Sequence, residues 1–232
     1  MVRLGSNYGG WWLYASAGLE GGTILSCGLG EDASFDVEMA ARFGCRVIVV
    51  DPTPRAVIHF EQTVARCGRP AQLPYAAGGR QDVRSYDLSR VTPDQLVLVE
   101  KALSDTTGTV RFYAPKSNDD VSHSIINFQN DYAVDTPFIE VPSLDVSTLL
   151  SEVDVGELAL AKFDIEGAEI GVLPQLLNSE VQPEQLLVEF DELNWPSRAS
   201  RMKFDAVHDL VLLAGYEVSY FDRRSCVSYI RR

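Results

Sequence analysis

The stretch Cys45–Asp51, CRVIVVD, restricts the fold of this chain more than any other seven residues. Four β-branched residues in succession, Val47 to Val50, offer no polar face to water, so a strand built from them must be covered on both sides. Such strands belong to parallel sheets, whose neighbours are joined by crossover helices. The flanking sequence supplies them. SFDVEMAARFG places Phe35, Met39 and Phe43 at four-residue steps and closes on Gly44. TPRAVIHFEQTVARCG has Pro54 in its first turn and Gly68 just past its end.

The same alternation extends through most of the chain. TILSCG reads as a short strand ending in glycine, QLVLVEKALSD as a strand and its exit, and LALAKFDI and QLLVEFD as further strands. GTVRFYAP fits a strand or one arm of a hairpin, and FIEVPSLDVSTLLSE a strand and a helix. Residues 71–94 lack a clear pattern, and Gly78-Gly79 suggests an exposed loop. EIGVLPQLL reads as a helix interrupted or kinked near Pro174. At 232 residues, one domain is expected, with residues 1–22 as an N-terminal cap segment and 112–142 as an acceptor-side insertion. The chain closes with a helix and a two-strand hairpin, YEVSYFD–RRS–CVSYIRR. A nicotinamide-binding domain continues in βα units, whereas a class I methyltransferase sheet ends on a hairpin. The expected fold is therefore α/β, a Rossmann-like class I methyltransferase sheet, mostly parallel with an antiparallel C-terminal hairpin strand.

Between the first strand and its helix stands SCGLGED. With Ala33 it satisfies G-x-G-x-x-A, and Asp51 follows about twenty residues later, which is the spacing of a dinucleotide fingerprint. Glu31 and Asp32 argue against that ligand. Like charges ~4 Å apart repel by roughly 4 kcal/mol at an effective dielectric near 20, and a pyrophosphate here would meet that repulsion. S-adenosylmethionine has no phosphate and carries an ammonium and a sulfonium, so the loop favours it. Asp51 could accept from ribose hydroxyls of either cofactor. The alternative is a plain strand-to-helix turn, with Glu31, Asp32 and Ser34 capping the helix and complementing its dipole. The formal charge of −13 opposes nucleic-acid and anionic-membrane partners and suits a neutral or cationic small molecule. The four scattered cysteines, with no C-x-x-C pair, read as reduced thiols. No apolar leader or membrane-length run is present, so a cytoplasmic location is the expectation.

A second acidic group lies in AKFDIEGAE. Alternation along a strand puts Lys162, Asp164 and Glu166 on one face, and Gly167 then permits a turn. The three could form a structural ion-pair group. Alternatively, Asp164 could contact a cofactor amine or take a substrate proton, with Lys162 lowering an acceptor hydroxyl's pKa or orienting Asp164. VEFDE delivers Glu189 and Asp191 on one face of another strand. Such acids could hold a divalent cation, although solvated loop acids read better and no metal motif is present.

KFDIEGAE resembles the K-x-D-x-E-G-A-E signature of FkbM-type S-adenosylmethionine-dependent methyltransferases, without internal departure. YGGWW (8–12), GLGEDASFD (28–36), DPTPRAV (51–57), ALSD (102–105), FYAP (112–115), VSHSI (121–125) and VEFDE (188–192) extend the resemblance over nearly the whole chain. It implies a Rossmann-like methyltransferase, commonly O-methylating sugars or natural products. It also implies Gly28, Gly30 and Glu31 along the methionine portion, and Asp51, Pro52 and Thr53 around ribose and adenine. Lys101 and Ala102 would approach the adenine, and Asp164 the methyl-transfer centre. Where related chains often read EFH, this one reads EFD, so a base at Asp191 does not carry over.

For the acceptor, His123 is a candidate base or binding residue, with Ser122 beside it and Tyr8, Glu166 and Asp191 as further contacts. Tyr8, Trp11 and Trp12 either cap the site or pack the flank of the first strand. His59 and His208, both on helices, read as structural or exposed. The leading expectation is O-methylation of a sugar or glycosylated natural product. The alternatives are N-methylation of an amino sugar, a non-catalytic nucleoside- or partner-binding protein of this fold and, more remotely, a nicotinamide dehydrogenase. A homo-oligomer is compatible with all of them.

Overall fold

In the computed structural model, residues 1–114, 124–127, 130 and 133–232 are described. A small antiparallel hairpin, β1 (Val2–Leu4) and β2 (Trp11–Leu13), opens the chain. Then follow β3 (Thr23–Cys27), α1 (Ser34–Phe43), β4 (Arg46–Val50), α2 (Pro54–Val64) and β5 (Leu96–Val99). A three-stranded sheet comes next, from β6 (Ala102–Leu103), β7 (Gly108–Tyr113) and β8 (Phe138–Leu144). The chain returns to the main sheet through α3 (Val146–Glu152), β9 (Leu160–Phe163), α4 (Glu169–Leu177) and β10 (Gln185–Glu189). It ends with α5 (Asp191–Asn194), α6 (Arg198–Leu213), β11 (Tyr216–Phe221) and β12 (Cys226–Arg231).

The main sheet has the order β11-β12-β10-β9-β3-β4-β5. Its pairs from β10 through β5 are parallel, and β12 runs antiparallel to both β10 and β11. This is the mostly parallel sheet with an antiparallel hairpin strand that the sequence predicts. The strand order reverses between β3 and β9, where an open α/β sheet leaves a crevice at its carboxyl edge.

β4 shows why the sheet is covered twice. Val47 and Val49 join the layer containing Phe35, Met39 and Phe43 of α1, and Ala56 and Phe60 of α2. Ile48 and Val50 face the opposite layer, packed with Leu149, Val172, Leu176, Phe204 and Val207. All four β4 residues are at most 2% exposed. Two expectations need correcting. Residues 71–94 are more than an exposed loop, because they bury Tyr86, Leu88 and Val91 in the first layer, although Gly78 is exposed. And α4 runs unbroken through Pro174: a proline there removes a single N–H, while packing of Val172, Leu173 and Leu176 holds the helix together.

Candidate active site

The carboxyl ends of β3, β4, β9 and β10 open on one cleft of about 840 Å³. Its floor is set where β3 meets β9. Gly28 has φ +86°, and a Cβ there would stand 1.8 Å from the carbonyl oxygen of Asp164. No side chain fits, so the glycine is required by close backbone approach as well as by conformation. From the adjacent strand, Lys162 Nζ donates to the Gly28 carbonyl at 2.5 Å. The ammonium is almost wholly buried, 4.0 Å from Asp164 Oδ2 and 5.8 Å from the Trp11 ring centre.

Asp51, at the end of β4, organises the glycine loop. Its Oδ2 accepts from the Leu29 and Gly30 N–H groups at 2.9 and 3.0 Å, and its Oδ1 from the N–H and hydroxyl of Thr53 at 2.8 and 2.7 Å. Four protein donors therefore use the four acceptor positions of the carboxylate. Glu31 is neutralised by Arg55 and Arg80. Asp32 accepts from the Ser6 hydroxyl at 2.6 Å and from Ser34 N–H at 3.0 Å, tying the N-terminal segment to the start of α1. The capping reading thus fits Asp32, and Glu31 serves an ion-pair group instead. The Ala33 N–H donates to the Tyr86 hydroxyl, which also bonds His59.

On the other side of the switch point, Glu166 (φ +53°) and Gly167 (φ +99°) make a left-handed turn after Asp164. Glu169, completely buried at the start of α4, accepts from the N–H groups of Ile165 and Gly167 at 2.8 and 2.9 Å. Each oxygen takes one of these donors, so this acid holds the loop that carries Asp164 and Glu166. Burial, reinforced by the charge of Asp191, pushes its carboxyl well above the usual range. Glu189 accepts from Asn194 Nδ2 at 2.9 Å and from the Ser225 hydroxyl at 3.0 Å.

Four carboxylates, Asp164, Glu166, Glu189 and Asp191, thus converge on the cleft. Burial and the charge of Glu189 push the Asp164 carboxyl up to about 7, with smaller rises from Asp191 and Asp51 against the lowering by Lys162. About a third of its side chain still opens to the cleft, so it can reach a ligand. Burial likewise raises Asp191 to about 6, while hydrogen bonds with Asn194 and Glu166 work the other way. Both carboxyls therefore exchange protons near neutral pH, as a general base requires. Among the described residues, no group of three His, Cys, Asp or Glu side chains is arranged to hold a metal ion.

The cleft brings together Tyr8, Gly28, Gly30, Glu31, Asp51, Pro52, Thr53, Ala102, Lys162, Asp164, Glu166 and Asp191. Lys101 is not in its lining; its Nζ is held by both oxygens of Glu152 at 2.9 Å. Ser122 and His123 lie outside the described residues. Trp11 lines the cleft, whereas Trp12 packs on Tyr220. His59 and His208 are structural, each bonded to a tyrosine hydroxyl. Sequence reasoning gave Glu169 no role, although it closes the K-x-D-x-E-G-A-E stretch and stands two residues beyond a Gly turn. It also missed Asn194, Asp222 and Arg224, brought in by α5 and the closing hairpin.

The sequence matches the methyltransferase FkbM domain over residues 26–218. The chain belongs to the FkbM methyltransferase family. In this FkbM protein the matched span includes the glycine loop, Asp51 and the Lys162–Glu169 turn. No curated protein matches the chain. Six solved chains resemble it remotely. One is the ribosomal protein L11 methylase of Lactobacillus delbrueckii subsp. bulgaricus, with 12% identity, a TM-score of 0.38, and 90% of this chain and 69% of that chain covered. Another is a mutant of the 16S rRNA (adenine(1408)-N(1))-methyltransferase from Catenulisporales acidiphilia, with 13% identity, a TM-score of 0.35, and 90% and 82% coverage. Neither bears on the substrate of this methyltransferase.

Proposed function

We propose that this FkbM methyltransferase uses S-adenosylmethionine to methylate a hydroxyl of a sugar or glycosylated natural product. The observation that carries the donor is the charge of the cleft: among the described residues, nine acidic side chains line it against two basic ones, Lys162 and Arg224. Lys162 is already committed to a backbone carbonyl. A cationic ligand without phosphate suits such a cleft, and a pyrophosphate does not. The donor supplies an electrophilic methyl group when bound. Gly28 and Gly30 would border its methionine portion, with Glu31 held back by its arginines. Pro52, Thr53 and Ala102 would border ribose and adenine. Asp51 would act through the loop it holds, and Lys101 would reach the adenine only if its exposed pair with Glu152 opened.

Asp164 is the proposed base, taking the proton of the acceptor hydroxyl. Lys162 fixes the loop beneath it and favours its ionised form. Tyr8, Glu166 and Asp191 would contact the acceptor, and much of the acceleration would come from alignment rather than covalent catalysis. His123, with Ser122, is the second candidate base. The convergence of Glu166, Glu189 and Asp191 favours one further reading, N-methylation of an amino sugar, whose ammonium these acids would attract. Calorimetry with S-adenosylmethionine and with NAD tests the donor; NAD binding without S-adenosylmethionine binding overturns it. Tritiated methyl transfer to a panel of hydroxyl and amino sugars, with Asp164→Asn and His123→Asn beside the natural chain, then separates acceptors and bases.

A further inference from the structure

Helix α5 and the residues after it separate two cavities. Asp191, Asn194 and Trp195 line the cleft, while Glu192, Leu193 and Pro196 line a second cavity of about 550 Å³. Arg224 lies on the wall of both. The second cavity is mainly apolar, walled by Leu193, Phe204, Val218, Phe221 and Val227. Val218 and Phe221 are each 44% exposed. Among the described residues, its one buried carboxylate is Glu192, whose Oε2 has no hydrogen-bond partner there. A buried acceptor of that kind is costly unless something donates to it.

Cations stand at the mouth. The turn between β11 and β12 is built on Asp222, whose Oδ1 accepts from the N–H groups of Arg224, Ser225 and Cys226 at 2.7, 3.0 and 3.1 Å. Arg223 is held at φ +68°, a conformation uncommon for a residue with a side chain. Arg201 pairs with Asp205 at 2.8 Å, whereas Arg223 and Arg224 make no ion pair among the described residues. The turn thus presents two adjacent exposed guanidinium groups beside an apolar cavity.

We propose that this cavity binds the apolar body of an acidic amphiphile, its acid on Arg223 and Arg224 and a hydroxyl on Glu192. Arg224 stands on both walls, so an acid held there lies at the edge of the cleft, and on this ground the amphiphile is assigned to the methyl acceptor. Only that last step rests on the proposed methyl transfer; the binding does not.

Calorimetry without donor tests it, using dodecanoate, neutral dodecyl maltoside and dodecyltrimethylammonium below their micellar concentrations. Dodecanoate binds one to one, the maltoside about fivefold more weakly, as expected for exposed charge contacts, and the cation about fivefold more weakly again. Arg223→Gly suits the left-handed φ, so the turn is kept; it weakens dodecanoate about fivefold and leaves the maltoside unchanged. Phe221→Asp, at a half-exposed position, abolishes both. No binding of any probe, or dodecanoate binding that neither variant alters, overturns the proposal. So does a dimer in light scattering that Phe221→Asp dissociates while dodecanoate fails to bind, since the face then joins two copies. If the probes bind as stated but no methyl transfer is found, the cavity stands and the proposed reaction falls.

Discussion

The carbonyl oxygen of Asp164 occupies the space where Gly28 would carry a side chain, 1.8 Å from the position of its missing Cβ. Two motifs separated by more than 130 residues are therefore one packed unit. Gly28→Ala must move a backbone segment and hold alanine at φ +86°. The expected loss is about 2–5 kcal/mol, adding overpacking to backbone strain. Gly44→Ala, at φ +66° but in open space, should cost only about 1–2 kcal/mol. Urea midpoints of the two variants compare them directly, and equal midpoints would contradict the packing argument.

Asp164 should show itself in two pH profiles. As the base, it makes kcat/KM rise with pH through about 7, and Asp164→Asn should lower the rate by about 10²–10⁴-fold. Its effect on stability has the opposite sense. Its pKa is raised in the folded chain, which therefore keeps this proton after the unfolded chain has lost it. Stability falls from this source as pH climbs from about 4 to about 7 and then levels. Asp164→Asn should remove that slope and melt higher than the natural chain at pH 8. A lower melting point there would assign Asp164 a structural role instead.

Glu169→Ala leaves the N–H groups of Ile165 and Gly167 without partners inside the protein. A cost of about 2–4 kcal/mol is expected, from one to three for each abandoned buried donor with partial rescue by water. Glu169→Gln keeps an acceptor and the volume, and should recover about half. Chemical denaturation measures both variants. Because Glu169 carries the turn holding Asp164, methyl transfer should follow stability in this pair.

Asp51→Asn sets an amide NH₂ against donors that now share a carboxylate. Donor binding should weaken about tenfold or more, since the one remaining oxygen serves either the loop N–H pair or the Thr53 pair and the other pair meets an NH₂. Thr53→Val removes only the hydroxyl contribution and should have a smaller effect. Calorimetry on both variants tests whether Asp51 works through the loop; weakening by Thr53→Val equal to that by Asp51→Asn would refute that order.

Sequence by itself determined the architecture and the address of the candidate site. Val47–Val50 could be satisfied only between two helical layers, and the closing hairpin placed an antiparallel strand in an otherwise parallel sheet. The glycine loop, Asp51 and the Lys162–Glu169 turn follow directly on strands, so their meeting at the carboxyl edge follows from strand direction. What each charged side chain does there was decided only by tertiary structure. Glu31 reads as a cap or a ligand contact, but Arg55 and Arg80, from distant segments, claim it. Asp51 reads as a ribose acceptor, and only the folded chain shows that its oxygens accept from Leu29, Gly30 and Thr53. Lys162 reads as a partner for its neighbouring acids, and its hydrogen bond goes to Gly28. Periodicity fixes the face on which a residue lies, because that depends on local backbone geometry. A charge's partner depends on which strands become neighbours, and β3 lies beside β9 only after the chain has crossed the sheet and returned.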